Sequence, residues 1–151
     1  MGQDDTKHNL LFISKYPEII HEFTDAMKDR DIEIETAING IEAAAKIKKK
    51  NYDIVITGLS LEGYNGEQII TYLNKTAPST VCIIYTTTIS SAQLHFFINE
   101  RNVFRVFLRP VDFRGAFWEA LEEAYEYHAV QVKNEEDTGA RRQEQEKQER
   151  E

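Results

Sequence analysis

Between Asp53 and Leu73 the chain runs DIVITGLSLEGYNGEQIITYL. Ile54, Val55 and Ile56 form an unbroken apolar run, the mark of a strand buried on both faces of a sheet. A loop with Gly63, Asn65 and Gly66 follows, and then Gln68 to Leu73 repeats with helical spacing. Strand, loop and helix in that order make half of a βαβ unit. In open α/β folds the chemistry gathers at the carboxyl ends of such strands. The residue at that end is Gly58, which offers no side chain.

The same alternation extends both ways. Asn9–Ser14 is an apolar strand, and Tyr16-Pro17 opens a helix whose Ile19, Ile20, Phe23, Ala26 and Met27 share one face. Residues 32–36 alternate with period two, so they predict an edge strand with outward glutamates that discourage edge-to-edge pairing. Asn39-Gly40 makes a turn into a short helix, with Ile41, Ala44, Ala45 and Ile47 expected inward. Its Lys46, Lys48, Lys49 and Lys50 fit a solvated helix end, where cations complement the dipole, better than an anion patch. Val81–Tyr85 is a third fully apolar strand. A helix is predicted over roughly 91–100, with Leu94, Phe97 and Ile98 inward, and a strand over Val103–Leu108. Phe113, Phe117, Ala120, Leu121, Ala124 and His128 mark a longer amphipathic helix. Five strand–helix repeats, with the two polar strands as edges, predict a five-stranded parallel sheet with helices on both faces.

The 151 residues suit one domain. Residues 1–8 are expected as a disordered lead-in and 9–133 as the domain. Residues 134–151, with seven acids and four bases and almost nothing to bury, are expected as a disordered tail or linker. The net charge of −8 argues against nucleic-acid binding. No apolar run approaches a membrane span, the start is too polar for a signal peptide, and the lone Cys82 lies in an apolar strand. A cytoplasmic protein is the expectation.

Taken together, the five β-α repeats, Asn39-Gly40, Asp53-Ile-Val-Ile, the Gly63…Gly66 loop and Arg109-Pro110 resemble the response-regulator receiver domain of two-component signalling. The resemblance covers roughly residues 8–130. It implies a flavodoxin-like (CheY-like) three-layer sandwich of strand order 2-1-3-4-5. In that family an aspartate ending the third strand accepts a phosphoryl group and an acidic pair after the first strand holds Mg²⁺. A Thr or Ser ends the fourth strand, and a Lys before Pro ends the fifth. Phosphoryl transfer needs those types: a nucleophilic oxygen, hard oxygen ligands for the ion, and a cation on the phosphoryl oxygens.

Laid on this chain, the acidic pair falls on Ser14 and Lys15, the acceptor on Gly58, and the usual loop proline on Glu62. The hydroxyl survives as Thr86 (Thr87 with a one-residue slip), the lysine becomes Arg109, and the family's switch aromatic falls on Val106. The resemblance is therefore to a degenerate, or pseudo-, receiver. Asp53 is no substitute acceptor, because it stands at the opposite end of its strand. Lys15 and Arg109 give the pocket two cations and no carboxylate, so it either attracts an anion or is neutralised by Glu62 and Asp112.

Nothing else in the chain indicates catalysis or a cofactor. His8, His21, His95 and His128 fall on separate elements and predict no metal site. Ser60 is in no nucleophile-elbow sequence, and neither a dinucleotide nor a P-loop motif follows any strand. Trp118 and Tyr125 fall off the inward stripe of the last helix and Phe96 off that of the fourth. With Arg105 they are candidate interface residues. The family commonly dimerises or meets targets through its fourth helix, fifth strand and fifth helix, so the resemblance favours an interface over a covering rim. The expected function is a signalling module that binds a protein partner, its own output domain or a second copy without phosphorylation. Alternatives are a small-anion or nucleotide sensor, and a relay receiver phosphorylated at another site, which would need a Mg²⁺ site these residues do not assemble.

Overall fold

The computed structural model describes residues 8–99 and 102–150, with side chains as far as residue 136. Strand and helix alternate five times: β1 (His8–Ile13), α1 (Pro17–Met27), β2 (Ile32–Ala37), α2 (Gly40–Lys49), β3 (Ile54–Thr57), α3 (Gly66–Thr76), β4 (Val81–Thr86), α4 (Ser91–Ile98), β5 (Val103–Leu108) and α5 (Ala116–Arg150). The strands form one parallel sheet of order β2-β1-β3-β4-β5. The apolar strand β3 is buried at every residue, and the polar β2 and β5 are the edges. On β2 the outward Glu33 and Glu35 both hold the Lys50 ammonium, at 2.8 and 2.6 Å.

Side-chain oxygens start three of the helices. Asn39 Oδ1 accepts from the Glu42 amide, and capping boxes pair Asn65 with Gln68 and Ser90 with Gln93. Each cap fixes where a loop at the carboxyl edge of the sheet turns into a helix. The loop after β3 is held tightly too. The Gly66 amide donates to the Leu59 carbonyl, and a Cβ on Gly66 would stand 2.3 Å from the Gly58 carbonyl oxygen.

Two unlike cores cover the sheet. Under α1 and α5 the core is aromatic: Phe12 stacks on Phe23 at 4.2 Å, and Phe113, Phe117 and Tyr85 close around them. Under α2, α3 and α4 it is mainly aliphatic, built on Leu11, Ile13, Val55, Ile70, Leu73 and Ile84, with Phe97 from α4. Losing one fully buried ring such as Phe117 would cost about 3–5 kcal/mol.

Several expectations are corrected. Helix α4 ends at Ile98, and only Phe97 is fully buried; Leu94 and Ile98 are 41% and 72% exposed. An eight-residue helix on this sheet gives the core Phe97 and part of Phe96, and Leu94 and Ile98 are left outside. Ile41, expected inward on α2, is exposed, while Ala43 is buried. Helix α5 continues without a break through residues 134–150, so this polar tail or linker is helical where disorder was one expectation. That segment has no apolar face, but its Glu, Gln, Arg, Lys and Ala are all strong helix formers, so a helix already nucleated on the sheet carries on. Of the expected lead-in, residues 1–8, residues 1–7 lie outside the described residues and His8 is already part of β1.

Candidate functional site

Parallel register sets Ser14, Gly58 and Arg109 just beyond the carboxyl ends of their strands and Thr86 at the end of β4. Ile13 pairs with Thr57 and Thr57 with Ile84, so Ser14 and Gly58 follow side by side. The backbone hydrogen bonds continue past the strands: the Gly58 amide donates to the Ile13 carbonyl at 3.1 Å, and the Arg109 amide to the Thr86 carbonyl at 2.8 Å. The expected pocket residues are therefore brought together. At Gly58 there is room: a Cβ would meet nothing nearer than the Tyr85 carbonyl oxygen, at 3.6 Å.

The hydroxyls at this edge are taken up by nearby backbone. Ser14 Oγ accepts from the Tyr16 amide at 3.2 Å, and Thr86 Oγ1 donates to the Thr88 carbonyl at 3.1 Å. The two cations turn to aromatic rings. Lys15 Nζ and the Arg109 guanidinium lie 5.3 and 4.8 Å from the centre of the Tyr16 ring. Lys15 also reaches Ser60 Oγ at 3.5 Å, and Arg109 lies near the buried Tyr85 ring. Burial pushes the Tyr85 phenol up, with Arg109 opposing it. The expected neutralisation by Glu62 and Asp112 does not occur: among the described residues neither Lys15 nor Arg109 is in an ion pair. Asp112 Oδ1 accepts instead from the Arg114 amide. Val106, at the switch position, is half-buried against the aliphatic core.

The family model of the response regulator receiver domain matches residues 11–115. The chain belongs to the response regulator receiver family. Solved structures agree on the fold. The signal receiver domain of an HD domain-containing protein from Pseudomonas fluorescens is 19% identical, with a TM-score of 0.77, over 82% of this chain and 98% of that one. A CheY-like receiver domain protein from Methanospirillum hungatei is 18% identical (TM-score 0.75; 83% and 99% covered). A structure described as an adenylate cyclase from Rhodopirellula baltica is 19% identical (TM-score 0.79; 88% and 98% covered). A search of curated proteins finds no match.

The interface candidates of the receiver separate. Arg105 is exposed on β5 and pairs with Glu123 of α5 at 3.0 Å. Phe96 is half-buried against the core and borders a cleft with Thr71, Tyr72 and Lys75 of α3. Tyr125 is not an interface residue: its ring is buried and its hydroxyl donates to the Asn9 carbonyl at 3.0 Å. Trp118 packs on the aromatic core under the Arg30 guanidinium, 4.2 Å away, on the side of α1. Both miss the expected surface because the sheet buries α5 along a stripe wider than one helix row. Exposed apolar groups are supplied instead by Leu94 and Ile98, on the flank of α4 opposite Phe96, and by Leu108 of β5.

A second polar cluster lies at the opposite, amino edge. Asp53 and Asn9 exchange backbone-to-side-chain hydrogen bonds. His128 Nε2 reaches Asp53 Oδ1 at 3.1 Å, and His8 Nδ1 reaches Oδ2 at 3.7 Å. Two histidines expected to be unrelated thus meet one carboxylate. The spacing of His128 on the inward stripe of α5 was the signal; nothing in the sequence pattern pairs it with Asp53. Among the described residues no group of His, Cys, Asp and Glu could hold a metal ion, and no helix is long and apolar enough to cross a membrane.

Proposed function

We propose that this receiver transmits signals by phosphorylation-independent protein association. Gly58 at the acceptor position carries the reading: it leaves no carboxylate to form an acyl phosphate, although its backbone site has room for one. Ser14 and Lys15 supply no carboxylate for Mg²⁺, and the Thr86 hydroxyl is spent on the Thr88 carbonyl. No phosphotransfer follows from such a set, and the domain works as a binding module rather than an enzyme in the cytoplasm. Its contact surface is the α4–β5–α5 face, where Leu94, Ile98 and Leu108 are exposed beside the Arg105–Glu123 pair. A second copy, a protein partner or an output domain beyond α5 would dock there.

Acetyl phosphate with Mg²⁺, read by intact mass and sedimentation velocity, tests this. The expected result is no added phosphoryl group and no change in association, with any self-association lost in Ile98→Asp. Addition of one phosphoryl group would overturn the reading and favour a receiver modified at another site.

One observation favours a second reading, an anion or nucleotide sensor: Lys15 and Arg109 flank Tyr16 and, among the described residues, pair with no carboxylate. Inorganic phosphate or a nucleotide that raises the melting temperature of the wild type, but not of Arg109→Gln, would support it.

A further inference from the structure

The amino-edge cluster holds its histidine in one protonation state by geometry. His128 Nδ1 lies 2.8 Å from the Ser79 carbonyl oxygen, and Nε2 lies 3.1 Å from Asp53 Oδ1. A carbonyl oxygen and a carboxylate oxygen only accept, so both ring nitrogens must donate, and only the imidazolium has two N–H groups. Removing the proton sets a nitrogen lone pair against an oxygen. One of the two contacts must then open.

The position of the residue gives that proton its leverage. On α5 the last buried core residue is Tyr125, and His128 is one turn further on. Beyond it Lys133, Asn134, Glu135 and Glu136 are exposed while the helix runs on to Arg150. His128 therefore ties α5, just ahead of this exposed stretch, to the start of β3, through Asp53, and to the α3–β4 loop, through Ser79. The ring is 17% exposed and borders a cavity of about 360 Å³ with Ser79, Val132 and Glu135, which gives the proton a route to solvent.

We propose that the Asp53–His128–Ser79 cluster is a proton-operated latch that fixes the outgoing part of α5 to the sheet and releases it when His128 loses its proton. The carboxylates that face the ring favour the charged state. Asp53 faces it from the start of β3 and Glu135 from α5 itself, and the β1 contribution is His8, on the far oxygen of Asp53. The Asp53 hydrogen bond raises the affinity of His128 for its proton, against burial, and the Ser79 carbonyl adds to it. Tyr125 stays neutral, because burial and then the Asp53 charge push its phenol up.

The test uses the full chain: the imidazole resonances of His128 followed by NMR across pH, with amide hydrogen exchange along α5 corrected for intrinsic rate. His128 should titrate above the ordinary 6.5. Protection of residues 129–136 should fall through the same pH, by up to about tenfold per unit of that elevation, while residues 117–124 hold theirs. His128→Gln should show low, pH-independent protection beyond residue 128, and His8→Gln should keep the transition. A His128 that titrates at or below 6.5, or wild-type protection that ignores its titration, would overturn the latch. Both readouts come from the wild type, so the test stands even where a variant does not fold.

Discussion

The two ends of this sheet use polar residues in opposite ways. At the carboxyl edge, where a receiver does its chemistry, Ser14 and Thr86 bond to nearby backbone and Lys15 and Arg109 rest on Tyr16. At the amino edge, Asp53, Asn9, His128, Tyr125 and Ser79 join three strands' starting points to α5 through contacts 44 to 116 residues apart. The first edge keeps the backbone of the family's site, and its side chains reach across the chain only by Arg109 on the Tyr16 and Tyr85 rings and by a 3.5 Å contact from Lys15 to Ser60. The second couples strongly. Loss of a side chain should therefore be cheap at one edge and costly at the other.

The backbone of the carboxyl edge provides the largest effect. Gly66→Ala places a Cβ 2.3 Å from the Gly58 carbonyl and should cost about 3 kcal/mol in urea denaturation. A neutral result would show that the loop after β3 is looser than its hydrogen bonds indicate. Next comes Asp53→Ala, which removes the acceptor of both His128 and the Asn9 amide and should cost about 2 kcal/mol near pH 6.

That loss depends on pH with a definite sign. Burial raises the Asp53 carboxyl, but the His128 and Asn9 hydrogen bonds outweigh it and hold the group below its ordinary 3.8. Its stabilisation is present above 3.8 and lost as pH falls through the lower folded value. His128 is raised above 6.5, so its stabilisation is full below 6.5 and lost as pH rises through the folded value. The stability gap between wild type and His128→Gln should be widest between pH 3.8 and 6.5 and close on both sides. A gap independent of pH would mean that His128 merely packs.

Smaller changes belong to the carboxyl-edge side chains. Thr86→Val should cost about 0.5–1 kcal/mol, one local hydrogen bond. Gly58→Asp should change stability by less than about 0.5 kcal/mol, because the site is open. A large penalty there would mean that glycine serves the packing.

What the sequence pattern reveals follows the same division. Alternating apolar runs and helical stripes expose the sheet, its polar edges and the placement of Ser14, Gly58, Thr86 and Arg109, because parallel β-α units carry each strand end to the same side. The fate of individual side chains is set by neighbours distant in sequence. Tyr125 and Trp118 look like flank residues on a helical wheel, yet Asn9 and Arg30 take them up. Leu94 and Ile98 look like core residues, yet the short α4 leaves them outside. His128 meets Asp53 across 75 residues of chain, a contact that only the folded sheet creates.

Under the proposed reading, the carboxyl edge does not respond to the activating chemistry of its family. Backbone amide NMR of the full chain, before and after Mg²⁺ with beryllofluoride, tests that claim most directly. Unchanged resonances at Ser14, Gly58, Thr86 and Arg109 are the predicted result. A saturable shift confined to those residues, carried on to β5 and α4, would contradict it.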